Sequence, residues 1–150
     1  MKRAILWALA CLIIGWVGIV TLICYQQDNV TESQKCFELI NQERQRNGIS
    51  QLQWNDNYAE LASIWAKRMS DIRELEHSHG NYSENLALGF NNGEQLYQLW
   101  EDSSLHYGNL VNRQSKQGAV AIYSEKYKMT LMGFDIYYGI GANYGVFIAK

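Results

Sequence analysis

Residues Ala4 to Cys24 read AILWALACLIIGWVGIVTLIC, a run without a single charge. A helix of about 21 residues rises about 31 Å, close to the hydrocarbon thickness of a bilayer. Lys2 and Arg3 stand just before the run. The positive-inside rule therefore leaves the N-terminus in the cytoplasm and everything after Cys24 outside. A cleaved secretory signal has a shorter apolar core, about 7–15 residues, and a small-x-small cleavage site. Here the run ends in Thr21-Leu22-Ile23-Cys24-Tyr25-Gln26, which offers no such triplet, and Ile23 is too large for a lipoprotein cysteine at Cys24. A retained anchor is favoured, with secretion after signal cleavage as the alternative. The expected division is a cytoplasmic start and transmembrane signal-anchor at 1–25, a linker at 26–32 and one domain at 33–150.

Composition then limits what that domain is. The chain has 150 residues, 47% hydrophobic and 13% aromatic, too rich in core-forming side chains for a disordered segment. Beyond the anchor the 15 acids face 11 bases, because Lys2 and Arg3 lie on the other side, so the exported part stands at −4. Nothing in that balance supports nucleic-acid binding. Cys11 and Cys24 fall inside the apolar run, so Cys36 has no partner for an internal disulfide. The domain must be held by its apolar core, with Cys36 as a small buried member of it.

Periodicity supplies the elements. Thr31-x-x-Gln34 resembles a capping box, and Cys36, Phe37 and Ile40 suit an amphipathic helix stopped at Asn47-Gly48. Leu52 and Trp54 alternate briefly, and Asn55-Asp56-Asn57 marks a turn and a new cap. Tyr58, Leu61, Ala62, Trp65, Met69 and Ile72 recur at three and four, the clearest helix in the chain. Residues 74–93 are polar and glycine-containing and read as loop. Leu96, Leu99 and Trp100 predict a short helix, and Ser103 or Ser104 caps another that carries His106, Leu110 and Val111. Gly118 to Tyr123, Tyr127 to Tyr138 and Asn143 to Ala149 are rich in Val, Ile, Tyr and Phe. With turns at Ser124-Glu125-Lys126 and Gly139-Ile140-Gly141 they predict a three-stranded antiparallel sheet, and the class is α+β.

Chemistry-bearing side chains gather in the polar stretch. His77, His79 and Glu84 share one loop, and His106 follows 22 residues after Glu84. Two imidazoles and a carboxylate can hold a divalent metal such as zinc or move protons. The wording around them is more specific. His77-Ser78-His79-Gly80-Asn81-Tyr82-Ser83-Glu84-Asn85-Leu86-Ala87-Leu88-Gly89 resembles the HS-x-G-x-Y-G-E-N-L-A-x-G stretch of the CAP superfamily. That superfamily comprises cysteine-rich secretory proteins, antigen five and plant pathogenesis-related proteins, also called SCP-like domains. Leu39-Ile40-Asn41-Gln42-Glu43-Arg44, Leu52-Gln53-Trp54, Gln98-Leu99-Trp100 and His106-Tyr107 with Val111 are similar to its other motifs, in the same order over about 33–149.

The resemblance implies an α-β-α sandwich and a cleft holding two histidines and two glutamates. His77 takes the first histidine position, with His79 as the alternative, Glu84 the first glutamate and His106 the second histidine. Asn85 follows Glu84 at the cleft. Ser103 stands where the second glutamate belongs, three residues after Trp100; Glu101 and Asp102 should point elsewhere on the helix. Ser83 replaces a glycine, and would be strained if the backbone there needed a positive φ.

Two functions follow. The first, favoured because Ser103 replaces an acid, is a non-enzymatic, membrane-anchored binding module. Its ligand would be a surface protein, a wall component or a lipid, the last in a groove built from strand tyrosines. The second is a metal-assisted hydrolase, with water held at His77 and His106 and Glu84 as base. Ser78, Ser83, Ser103 and Ser104 lie near these residues, but none sits in a G-x-S-x-G elbow.

Overall fold

The first helix, α1, shows how the sequence pattern becomes packing. It occupies 28–46 and buries Cys36, Phe37, Ile40, Asn41 and Arg44, a stripe at spacings of three and four. It stops where Gly48 takes φ 64° and its N–H reaches the Gln45 carbonyl at 2.9 Å. This computed structural model describes residues 28–131 and 134–150; the apolar run at 4–24 lies outside them. Among the described residues no helix is long and apolar enough to cross a membrane.

After β1 (Gln53–Trp54) comes α2 (Asp56–Ile72), capped by the Asn55 side chain, which accepts from the Tyr58 N–H at 3.2 Å. It buries Ala62, Ala66 and Met69, and its small residues let the helix lie close on the sheet. α3 (Gly93–Glu101) is capped by Asn92, and α4 (Ser104–Leu110) begins after Ser103, whose side chain makes no cap bond. These helices agree with the periodicity.

The sheet differs from expectation in three ways. First, the polar stretch read as loop contains a strand, β2 (Ser83–Leu88), antiparallel to the last strand with Glu84 opposite Ile148. Second, three expected strands are two long ones, β3 (Gln117–Leu131) and β4 (Phe134–Ala149). Ser124-Glu125-Lys126 does not reverse the chain. It is an irregularity in the ladder, which resumes at Lys126 opposite Ile140, so Gly139-Ile140-Gly141 is strand as well. A bulge uses the same small and polar residues as a turn but only kinks the strand. Third, β1 adds a short parallel pair, Gln53 with Gln117 and Trp54 with Gly118. The result is a mixed four-stranded sheet in the order β1-β3-β4-β2, in place of a three-stranded antiparallel one.

Helices cover both faces, as the family resemblance implies. Val120, Ile122, Phe147 and Ala149 pack with Phe37, Ile40, Leu96, Trp100 and Leu110 from α1, α3 and α4. Ala121, Val146 and Ile148 pack with Ala62, Ala66 and Met69 of α2. Alternate residues of each strand thus enter different cores.

Arg44 ties the first of these cores together. It is fully buried, yet among the described residues it meets no carboxylate. Its guanidinium donates to the carbonyls of Ser50 (2.9 Å), Leu110 (2.8 Å), Asn112 (3.0 Å) and Ser115 (3.0 Å). Leu110 ends α4, where carbonyls lack helical partners. Burial pushes the Arg44 pKa down, the cost of keeping a charge inside. Asn41, one turn earlier, pairs with Leu52 through both amide groups, at 3.1 and 2.8 Å.

Arg44→Met strands four carbonyls and is expected to cost at least about 3 kcal/mol in urea denaturation of residues 28–150. Arg44→Lys should recover only part, since one ammonium cannot span four separated acceptors. A loss under about 1 kcal/mol for Arg44→Met would contradict this role. Cys36 is buried and its thiol pKa is pushed up by burial, so it should remain a packed, unreactive thiol. Cys36→Ser should fold cooperatively at a cost of about 1–2 kcal/mol, and reductant should leave the wild-type melting temperature unchanged.

Candidate functional site

The site begins at the end of α2. Arg73 closes the helix with φ 58°, and the chain folds back along it. The Trp65 indole N–H donates to the Glu76 carbonyl at 2.5 Å. Arg68 lies 5.2 Å over the Trp65 ring and holds the Glu76 carboxylate at 2.9 and 3.2 Å. This clamp delivers the next residue, His77, to the edge of β2.

Glu84 receives it. On β2 the Glu84 side chain is 6% exposed, and both of its oxygens are engaged. Oε2 meets His77 Nδ1 at 2.6 Å and accepts the Ser78 backbone N–H at 3.1 Å. Oε1 accepts the Ser78 hydroxyl at 2.6 Å. With that hydrogen spent, the 2.5 Å contact between Ser78 Oγ and Tyr82 Oη has the tyrosine as donor. A Cβ on Gly80 would fall 2.1 Å from the Tyr82 ring, so only glycine lets the ring lie there. An open cleft of about 350 Å³ results, lined by 77–80, 82–84 and Asn109.

Asn85 points the other way, since neighbours on a strand face opposite sides. It is fully buried and donates to the His106 carbonyl at 2.9 Å. It also accepts from Asn109 Nδ2 at 2.8 Å. Asn85 is therefore a tie between β2 and α4 and is not part of the open cleft. Asn109 also donates to the Glu84 carbonyl, at 3.3 Å.

The structure joins His77 to Glu84 and sets His106 near enough to His77 to feel its charge, but His106 does not line the cleft. His106 is partly buried on α4, and its pKa is lowered by desolvation first and then by the charge of His77. His77 makes the bond to Glu84. His79 is exposed and held at φ 58° beside it. Ser103 makes no cap bond and does not line the cleft. Glu101 is turned to Tyr97 (2.6 Å) and Gln98 (3.0 Å), and Asp102 also to Gln98 (3.0 Å), away from the site. Ser83 is not strained, because it enters β2 in extended pairing with Ala149 and Arg73 and His79 are the non-glycine positive-φ residues described.

A three-ligand metal centre does not fit. Among the described residues no three of His, Cys, Asp and Glu are grouped to hold an ion. The third ligand expected from sequence, Glu84, already has both oxygens bonded to His77 and Ser78. Sequence reading passed over Asn109, although it lies three residues after His106 on the same helical face.

The lowered His106 pKa has a direct consequence. The fold prefers neutral His106, so stability is complete above the ordinary imidazole pKa of about 6.5 and falls as pH drops through the folded value. Thermal melts from pH 8 to pH 5 should show wild type losing more melting temperature than His106→Gln. Equal losses would contradict the assignment.

Comparison with known proteins follows the same lines. Residues 37–139 match the CAP family, described as the cysteine-rich secretory protein family. The Secreted protein RBT4 of Candida albicans is 33% identical over 72 residues, 48% of this chain and 20% of that protein. Pathogenesis-related protein 1A of Nicotiana tabacum is 34% identical over 68 residues, 43% of this chain and 40% of its own length. The chain therefore spans less than half of either relative. An extracellular SCP-domain protein of Bacillus anthracis superposes with TM-score 0.66 at 22% identity, covering 83% of this chain and 42% of that one. An outer surface protein of Borrelia burgdorferi gives 0.59 at 15% identity, covering 82% and 96%. With the sandwich, the ordered motifs and a family match over most of its length, this chain belongs to the CAP family of cysteine-rich secretory proteins.

Proposed function

We propose that this protein is a membrane-anchored, extracytoplasmic CAP domain that binds its ligand without chemical turnover, using the cleft around His77, His79, Tyr82 and Glu84. One observation carries this reading. The cleft carboxylate is 6% exposed and committed to three hydrogen bonds from His77 and Ser78, which leaves a single lone pair, on Oε1, for a substrate water. A general base needs the proton it takes within hydrogen-bond reach, and here the loop occupies all but one of those positions. The hydrolase alternative would have to break this brace on every turnover. His77 Nε2 and the exposed His79 are the groups left to meet a ligand.

The exported location is supported by relatives named as a secreted protein and as pathogenesis-related proteins, together with the extracellular and outer-surface structures. The anchor rests on the uncharged run at 4–24 and on the missing cleavage triplet. The ligand is a surface protein, a wall component or a lipid.

Immobilised full-length chain should retain one of these classes when challenged with surface-protein extract, wall polysaccharide and lipid vesicles in turn. The His77→Ala, His106→Ala double variant should lose it. Ester or amide hydrolysis that requires added zinc and vanishes in the same variant would replace this reading with the hydrolase. Capture that survives the double substitution would move binding to another surface.

A further inference from the structure

The sheet has an edge that its own strands leave unfinished, and it is the edge away from the histidine cleft. β1 pairs with β3 only through Gly118. The carbonyls of Lys116 and Gly118 accept from the N–H groups of Gln53 and Asn55, while Gln117 exchanges both of its bonds with Lys150 on the opposite side. Backbone groups alternate along a strand. Val120 and Ile122 therefore aim their N–H and C=O into the lane that β1 begins. After Asn55 the chain leaves that lane for α2, and no described strand continues it.

This lane is the floor of a groove. A cavity of about 210 Å³ runs along Val120 to Ser124 between Val30 and Ser33 of α1 and Ala59 and Ser63 of α2. The walls are narrow side chains. Trp54 stands beside Gly118 at one end, its ring fixed edge-on against Phe37 at 5.0 Å, and Lys126 stands at the other.

The depth of the groove decides what fits. Val120 is 1% exposed and Ile122 8%, so this edge is covered at the bottom of the groove, and an added strand reaches it only by parting the helical walls. Two such edges from two copies cannot approach to the roughly 4.8 Å of paired strands before their helices collide. A single extended segment can. Charge gives it a direction: Glu125 is paired with Arg73 at 3.1 Å, and among the described residues no carboxylate pairs with the Lys126 ammonium.

We propose that this groove binds an extended apolar peptide as an added strand on β3, with an acidic side chain or terminal carboxylate at the Lys126 end. Val120 and Ile122 supply the main-chain hydrogen bonds, and alternate peptide side chains face the α1 and α2 walls. The site lies across the full width of the sheet from His77 and does not depend on the function proposed for that cleft.

The test uses the full chain in detergent micelles and a displayed library of random heptapeptides with free C-termini. Enriched peptides should be apolar at alternate positions and end in a carboxylate. Synthetic copies N-methylated at alternate residues should bind about tenfold or more weakly, because two hydrogen bonds are lost. Ser63→Trp, on an exposed position of α2, should fill the groove and abolish binding, whereas His77→Ala should not change it. Lys126→Glu should weaken acid-ended peptides and spare amide-capped ones. No enrichment over empty micelles, or binding indifferent to N-methylation of the peptide, would overturn the proposal. So would a dimer of wild type that Ser63→Trp dissolves, since the occupant would then be a second copy. If Ser63→Trp fails to fold, the N-methylated peptides on wild type decide alone.

Discussion

Two consecutive polar side chains on an edge strand govern the geometry of this domain's site. Glu84 and Asn85 are both buried on β2, and the pleat sends them to opposite faces. Glu84 gathers the loop that carries His77 and Ser78, and Asn85 holds the backbone of α4 at His106. Sliding β2 by one residue against β4 would exchange the two and leave both unpaired inside the protein. Arg44 completes the linkage from the other end, since it fixes the last turn of α4 through the Leu110 carbonyl. A continuous path runs from α1 through α4 and β2 to His77, and its joints are polar.

That arrangement bears on what the cleft can do. A buried carboxylate that supports a loop with three hydrogen bonds is pre-organised as structure, and three of its four lone pairs are spent. The same atoms in a hydrolase would be aimed at a substrate. The fold is shared with an extracellular protein of Bacillus anthracis and an outer surface protein of Borrelia burgdorferi, but a shared fold leaves chemistry to the particular site. Here the site offers two imidazole faces, a tyrosine and an open cleft, the groups on which the proposed binding role would draw.

The sequence made part of this legible. Helices α1 to α4 could be read from apolar spacing, from the stop at Asn47-Gly48 and from the Asn55 cap, because a helix on a sheet displays one apolar stripe. His77, Glu84 and His106 were legible through the ordered motifs around them. β2 was hidden for a physical reason: Leu86 and Ala87 enter different cores, so its residues do not alternate apolar with polar, and Glu84 and Asn85 are buried. The Ser124 region was misread because a bulge and a turn use similar residues. The part played by Arg44 could not be read at all. Its four acceptors are backbone carbonyls, 6 to 71 residues away along the chain.

Amide hydrogen exchange on Glu84→Gln tests the central claim most directly. The amide keeps the shape of the carboxylate but presents an N–H₂ to donors that need an acceptor. If Glu84 holds the site together, amides at 77–82 should lose protection by about tenfold or more, while those of α2, β3 and β4 stay as in wild type. Unchanged protection at 77–82 would show that the loop is held by something else, and that the Glu84 carboxylate is available for another task.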